Sequence, residues 1–161
     1  LPVGRFVAPL ALVSIAERAA RDEDALLTVD DLARWERRHG RIPAGAVVAL
    51  HSGWEARLRE PGRFLNADAA GVMHAPGFSR EAAEFLVNER DVAGAATDTL
   101  SLDCGPSVTY DAHHVLLGAG RYGLENVASL DRVPPSGAVI VVGAPKHAGG
   151  TGGPARLLAL Y

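Results

Sequence analysis

His113 and Glu125 are the residues of this chain best suited to chemistry, with a glycine-rich turn between them. Their twelve-residue separation is too long for the i, i+4 histidine pair that binds zinc from one helix. It suits two ligands carried on adjoining elements joined by a tight turn. An imidazole paired with a carboxylate takes zinc, manganese or iron in preference to an ion that selects thiolates. A histidine so placed also serves as an ordinary surface or capping residue, and spacing leaves both readings open. A second constellation, Asp98, Ser101 and Asp103, stands just past a short apolar run. Its carboxylates either orient a histidine ligand or a substrate, or accept backbone N–H bonds inside their own loop. A third group, His51, Ser52 and Trp54, follows another apolar run, and strand ends are where α/β proteins place ligand-binding groups.

Other chemistries fail on their motifs. The glycine-rich string at 143–154 lacks the Gly-Lys-Ser/Thr of a phosphate loop, because Lys146 precedes the glycines and Pro154 follows them. No Gly-x-Ser-x-Gly elbow is present, and Cys104, in Asp-Cys-Gly-Pro, lies in no activating signature and reads as a small buried or half-buried residue.

The elements that must position these groups follow from periodicity and caps. Residues 6–15 form an apolar run read as a buried strand, and residues 46–50, 92–96 and 137–143 read the same way. Residues 28–39 predict a helix, with Thr28 as cap, Asp31 in the capping-box position and Gly40 as terminator. Ser79 starts a second helix through Arg90. Residues 60–78, rich in Gly, Pro, Asn and Asp, predict a long loop, and residues 155–161 a terminal strand. Alternating strands and helices predict one α/β domain over residues 1–161.

Composition narrows the class further. A chain of 161 residues with 48% hydrophobic and 22% charged residues builds a real core, which excludes a disordered or fibrous protein. Its 16 basic residues are scattered among 19 acidic ones, so no basic stripe for nucleic acid forms, and 6% aromatic residues is too few for a base-stacking platform. One cysteine excludes an internal disulfide framework. The apolar run at 6–15 is too short to span a membrane and leads into Glu17, Arg18, Arg21 and Asp22, unlike a signal peptide; a cytoplasmic location is expected.

Six strings, in order along most of the chain, resemble the cyclase family of metal-dependent hydrolases, the group that includes kynurenine formamidase and isatin hydrolase. They are Trp35-Glu36 through Ile42-Pro43-Ala44-Gly45, His51-Ser52-Gly53-Trp54, Pro76-Gly77-Phe78-Ser79 and Thr97 to Asp103. The last two are His113 to Leu117 with Gly123-Leu124-Glu125-Asn126, and Gly149 to Arg156. The resemblance implies a swivelling β/β/α-type domain with a mixed, partly barrel-like sheet flanked by helices. It implies hydrolysis of an amide, formamide or lactam C–N bond by water activated on zinc or manganese. His113 and Glu125 match the family's histidine and glutamate ligands, and His114 its neighbour in a supporting or surface role. A homodimer or homotetramer acting on a small molecule is expected, with no nucleic acid and no membrane.

One departure bears on all of this. The family's motif His-x-Gly-Thr-His-x-Asp-x-Pro-x-His, which supplies the other ligands and the catalytic base, does not occur in these residues. The chain therefore resembles the carboxy-terminal portion of a member, with a fold incomplete at its amino terminus and no catalytic base of its own. The missing groups lie upstream, come from another polypeptide, or are lost; in the last case the chain is a non-catalytic binding or assembly domain.

Overall fold

The computed structural model describes residues 1–161, the side chain of Pro61 excepted. In chain order its elements are β1 (Val7–Ser14), α1 (Ala16–Ala19), β2 (Leu26–Leu27), α2 (Val29–His39) and β3 (Val47–His51). There follow α3 (Pro61–Leu65), β4 (Gly77–Phe78), α4 (Arg80–Asn88), β5 (Gly94–Thr97) and α5 (Asp111–Gly118). The last three are β6 (Tyr122–Leu124), β7 (Ala138–Gly143) and β8 (Arg156–Leu160). Six strands form a curled, mixed sheet in the order β6-β5-β3-β1-β7-β8, and β2 pairs with β4 in a small parallel ribbon.

The strands β1, β3, β5 and β6 run parallel, with Leu10 opposite Val47 and Val47 opposite Gly94. Parallel strands need crossovers, and α2, α4 and α5 supply them on one face. The continuous apolar runs of β1 and β3 follow from burial on both sides. Ala11, Val13, Val48 and Leu50 pack under the helices with Leu32, Leu86 and Leu116, whereas Leu10, Leu12, Val47 and Ala49 join Ile140 and Val142 on the other face.

Local signals explain the helix ends. Thr28 and Asp31 form the capping box that their spacing predicts, and Gly40, at φ 89°, closes α2. Asp31 also receives Arg18 and Arg34. Burial opposes its ionisation, but the bonds from Arg18 and Thr28 outweigh that and hold the carboxyl at about 2. The Trp35 indole donates to the Leu12 carbonyl at 2.9 Å, tying α2 to β1, and Ser79 caps α4.

The expected strands and both expected helices are present within a residue or two of their predicted limits. Residues 60–78 depart from the expectation of an unbroken loop. They contain α3, an isolated bridge between Ala67 and Met73, and β4. The reason is long-range: β4 exists because Gly77 and Phe78 find Leu26 and Leu27.

Candidate functional site

The parallel strands all end at one edge of the sheet, so Ser14, His51, Asp98 and Glu125 arrive there from β1, β3, β5 and β6. His113 comes to the same region from the first turn of α5. Its Nδ1 lies 2.6 Å from Asp103 Oδ2 and its Nε2 lies 3.2 Å from Glu125 Oε1.

Asp103 is the fixed point. It is buried, and its Oδ1 accepts the Ala112 N–H at 2.7 Å while its Oδ2 accepts the His113 N–H at 3.2 Å. The first residue before α5, Tyr110, sits at φ 51° and has no side-chain cap bond, so Asp103, farther back in the same β5–α5 connection, does the capping. The carboxylate thus bonds the helix backbone and the imidazole together. Glu125 is steadied by the Leu102 N–H, which donates to its Oε1 at 3.2 Å. The backbone beyond it turns at Asn126, at φ 56°, and is pinned by bonds to Thr99 and Thr97.

The donor set can be tested for a metal on this geometry. With Nδ1 donating to Asp103, Nε2 presents a lone pair toward the Glu125 oxygen, and two acceptors in apposition require a cation or proton between them. Two ligands each about 2.1 Å from one ion stand roughly 3.0–3.4 Å apart, so the 3.2 Å separation fits. No group of three or more His, Cys, Asp or Glu among the described residues could hold a metal ion; His113 and Glu125 present two donor atoms. The pair borders an open cleft of about 810 Å³ whose walls include Phe6, Leu117, Tyr122 and Leu124. The Tyr122 hydroxyl donates to the Arg5 carbonyl at 2.8 Å, and burial pushes its pKa up to about 12, so it remains a neutral wall.

The other residues singled out by sequence lie elsewhere. Asp98, buried, accepts from the Ser52 N–H, from the Ser52 hydroxyl at 2.7 Å and from the Trp54 N–H at 2.9 Å. The Trp54 indole is buried, donates to the Phe64 carbonyl and lies under the Arg57 guanidinium. Asp98, Ser52 and Trp54 thus form a knot that fixes the turn after β3, and none lines the cleft of His113. Ser101 accepts the Asp103 N–H with its hydroxyl and so shapes the loop that presents Asp103. His51 Nδ1 lies 3.1 Å from the Ser14 hydroxyl and borders a separate hollow with Arg59 and Arg132. His114 is exposed on α5, one position round the helix from His113.

Sequence reasoning missed a second imidazole between carboxylates. His74 Nδ1 lies 2.7 Å from Asp24 Oδ2, and its Nε2 lies 3.7 Å from Asp68 Oδ2. Asp24 is fifty residues from His74, and no local pattern links them.

A family model described as "Putative cyclase" matches residues 1–104. Isatin hydrolase of Roseibium aggregatum is 35% identical over 164 residues, an alignment that covers 99% of this chain and 62% of that protein. The solved isatin hydrolase A from Ralstonia solanacearum superimposes with a TM-score of 0.94 at 42% identity, over 99% of this chain and 62% of that one. An isatin hydrolase bound to the product analogue thioisatinate gives a TM-score of 0.95 at 34% identity, over 100% and 62% of the two chains. The chain therefore spans less than two thirds of the length of these relatives. No helix among the described residues is long and apolar enough to cross a membrane.

Proposed function

The chain belongs to the cyclase family, and we propose that it supplies His113 and Glu125 to the metal site of a hydrolase that cleaves a C–N bond in a small amide or lactam. The observation that carries this reading is the 3.2 Å approach of His113 Nε2 to Glu125 Oε1 at the mouth of a cleft, with Nδ1 anchored on Asp103. Likeness to isatin hydrolases along nearly the whole of this chain supports the choice of bond.

Each residue has a definable task. Asp103, 2.6 Å from Nδ1, orients the His113 ring so that Nε2 faces Glu125 as the ligand atom. Glu125 presents one oxygen, held in place by the Leu102 N–H. The apolar wall of Phe6, Tyr122 and Leu124 lowers the local dielectric and receives the body of the substrate. Zinc or manganese, when bound, supplies activated water and polarises the scissile carbonyl. Two protein donors hold such an ion weakly, so the remaining ligands and the base come from polypeptide outside these residues, and the chain behaves as the carboxy-terminal portion of a single cyclase-like domain. A cytoplasmic homodimer or homotetramer completes the reading, on the support of the family resemblance.

The test is His113→Ala in the protein at its natural length, with metal measured by elemental analysis and hydrolysis by aryl amide and lactam substrates. Bound metal should be lost, and turnover should fall more than about 100-fold, the scale of several kcal/mol of transition-state stabilisation. Unchanged metal content together with unchanged hydrolysis overturns the assignment.

A further inference from the structure

The segment that carries Asp103 is braced from one side by the segment that follows His74. A Cβ at Gly77 would overlap the backbone of Asp103 and Cys104, and one at Gly105 would overlap the backbone of Met73 and Ala75. The Gly105 N–H donates to the Ala75 carbonyl at 2.8 Å, and the Phe78 N–H to the Leu102 carbonyl at 2.8 Å. Residues 73–78 and 102–105 are thus two backbones in direct contact, with no side chain between them to absorb a shift.

The far end of this segment is held by the pairing of Gly77 and Phe78 with β2 and by burial of Phe78, whereas its His74 end is held by polar contacts. Beyond its contacts to Asp24 and Asp68, His74 donates its N–H to the Asn66 carbonyl at 3.0 Å, and the Asn66 amide returns a bond to the His74 carbonyl at 2.9 Å. The same amide donates to Glu23 at 2.9 Å, and Glu23 pairs with Arg57 at 2.9 Å. Asp24 Oδ1 is buried with no hydrogen-bond partner among the described residues, so the imidazole supplies this carboxylate's side-chain bond. The ionisable groups around the imidazole are therefore Asp24, Asp68, Glu23 and Arg57, with Asp22 bonded to the Asp24 N–H and the Cys104 thiol within the field of Asp24.

We propose that His74 is a proton-controlled clasp: as an imidazolium it bridges Asp24 and Asp68 and presses residues 73–75 against Gly105, thereby positioning Asp103 and, through it, His113. A neutral imidazole has one N–H. It keeps the bond to Asp24 and turns a lone pair toward Asp68, so the bridge opens on that side. The hydrogen bond and charge of Asp24, with Asp68 adding, raise the His74 pKa above its ordinary 6.5. A raised pKa means that the clasp is fully closed below about pH 6.5 and is lost as pH climbs through the higher folded-state value. The consequence for catalysis rests on the proposed role of His113; the clasp itself does not.

The experiment uses the natural-length protein, its His74→Gln variant and its Asp68→Asn variant. Amide hydrogen exchange at Gly105 and His74, corrected for the intrinsic pH dependence, reads the clasp directly. Protection in the wild type should fall about 3-fold between pH 6 and pH 9, the scale of an exposed ion pair, and should be low and flat in both variants. Flat protection in the wild type, or an equal fall in His74→Gln, overturns the clasp. The ratio of wild-type to His74→Gln kcat/KM should move from about 3 at pH 6 to about 1 at pH 9. A constant ratio overturns the link to His113. Absence of hydrolysis in every form, with the exchange signature present, overturns the proposed function and leaves the clasp standing.

Discussion

Two histidines in this chain sit between two carboxylates, and they are built differently. His113 stands on a helix whose own N-terminus is capped by the carboxylate that holds its ring, and that carboxylate is 4% exposed. His74 stands on a loop, its carboxylates are 36% and 43% exposed, and its outer contact stretches to 3.7 Å. The first arrangement fixes the ring and turns Nε2 toward Glu125 beside a cleft, as the proposed metal ligand needs. The second is screened by water and responds to protonation, as a latch needs. An imidazole between two carboxylates suits the proposed ligand role or the proposed switch according to burial and to what else the carboxylates bond.

The sharpest way to break the contrast is Asp103→Ala. It removes the helix cap and the imidazole's anchor together, so stability should fall by about 3 kcal/mol and metal affinity by about 10- to 100-fold. Thermal unfolding and a metal titration check the two effects, and loss of stability without loss of affinity would separate His113 from its proposed anchor. Gly105→Ala comes next. Its Cβ would push Met73 away from the Asp103 segment, and overpacking of this kind costs about 2 kcal/mol; a denaturant midpoint unchanged from wild type would mean that the two backbones are free to part. The mildest is Asp24→Asn. With the anion gone, His74 should titrate closer to 6.5, which an NMR titration of its ring reads. Metal binding at His113 should change little, since the clasp braces that site at second hand. A large loss there would mean that the two histidine sites are one network.

Much of the framework was legible locally. Thr28 and Asp31 announce α2, and Ser79 announces α4, because caps are satisfied within three residues. The apolar runs of β1 and β3 announce buried strands because both faces are covered. The ribbon of β2 and β4 was illegible, since two-residue strands carry no period and exist only through each other. Within the site, Asp98 and Asp103 look alike in sequence, each a carboxylate past the end of β5. In space Asp98 gathers Ser52 and Trp54, while Asp103 reaches α5. Trp54, itself a site candidate beside His51 and Ser52 in the sequence, turns its indole into a packed cluster with Phe64 and Ala75 instead.

The sequence by itself determined the alternation of strands and helices, the strand ends that carry polar residues, and the family to which the motifs point. These depend on residue types within a few positions of one another, where propensity and capping act. Only the tertiary structure decided that Asp103 holds His113, that Glu125 faces the other nitrogen, and that His74 reaches back fifty residues to Asp24. Such meetings are set by the parallel register of β3, β5 and β6 and by two backbones that touch at Gly77 and Gly105, and long-range pairing of that kind leaves no local mark on the chain.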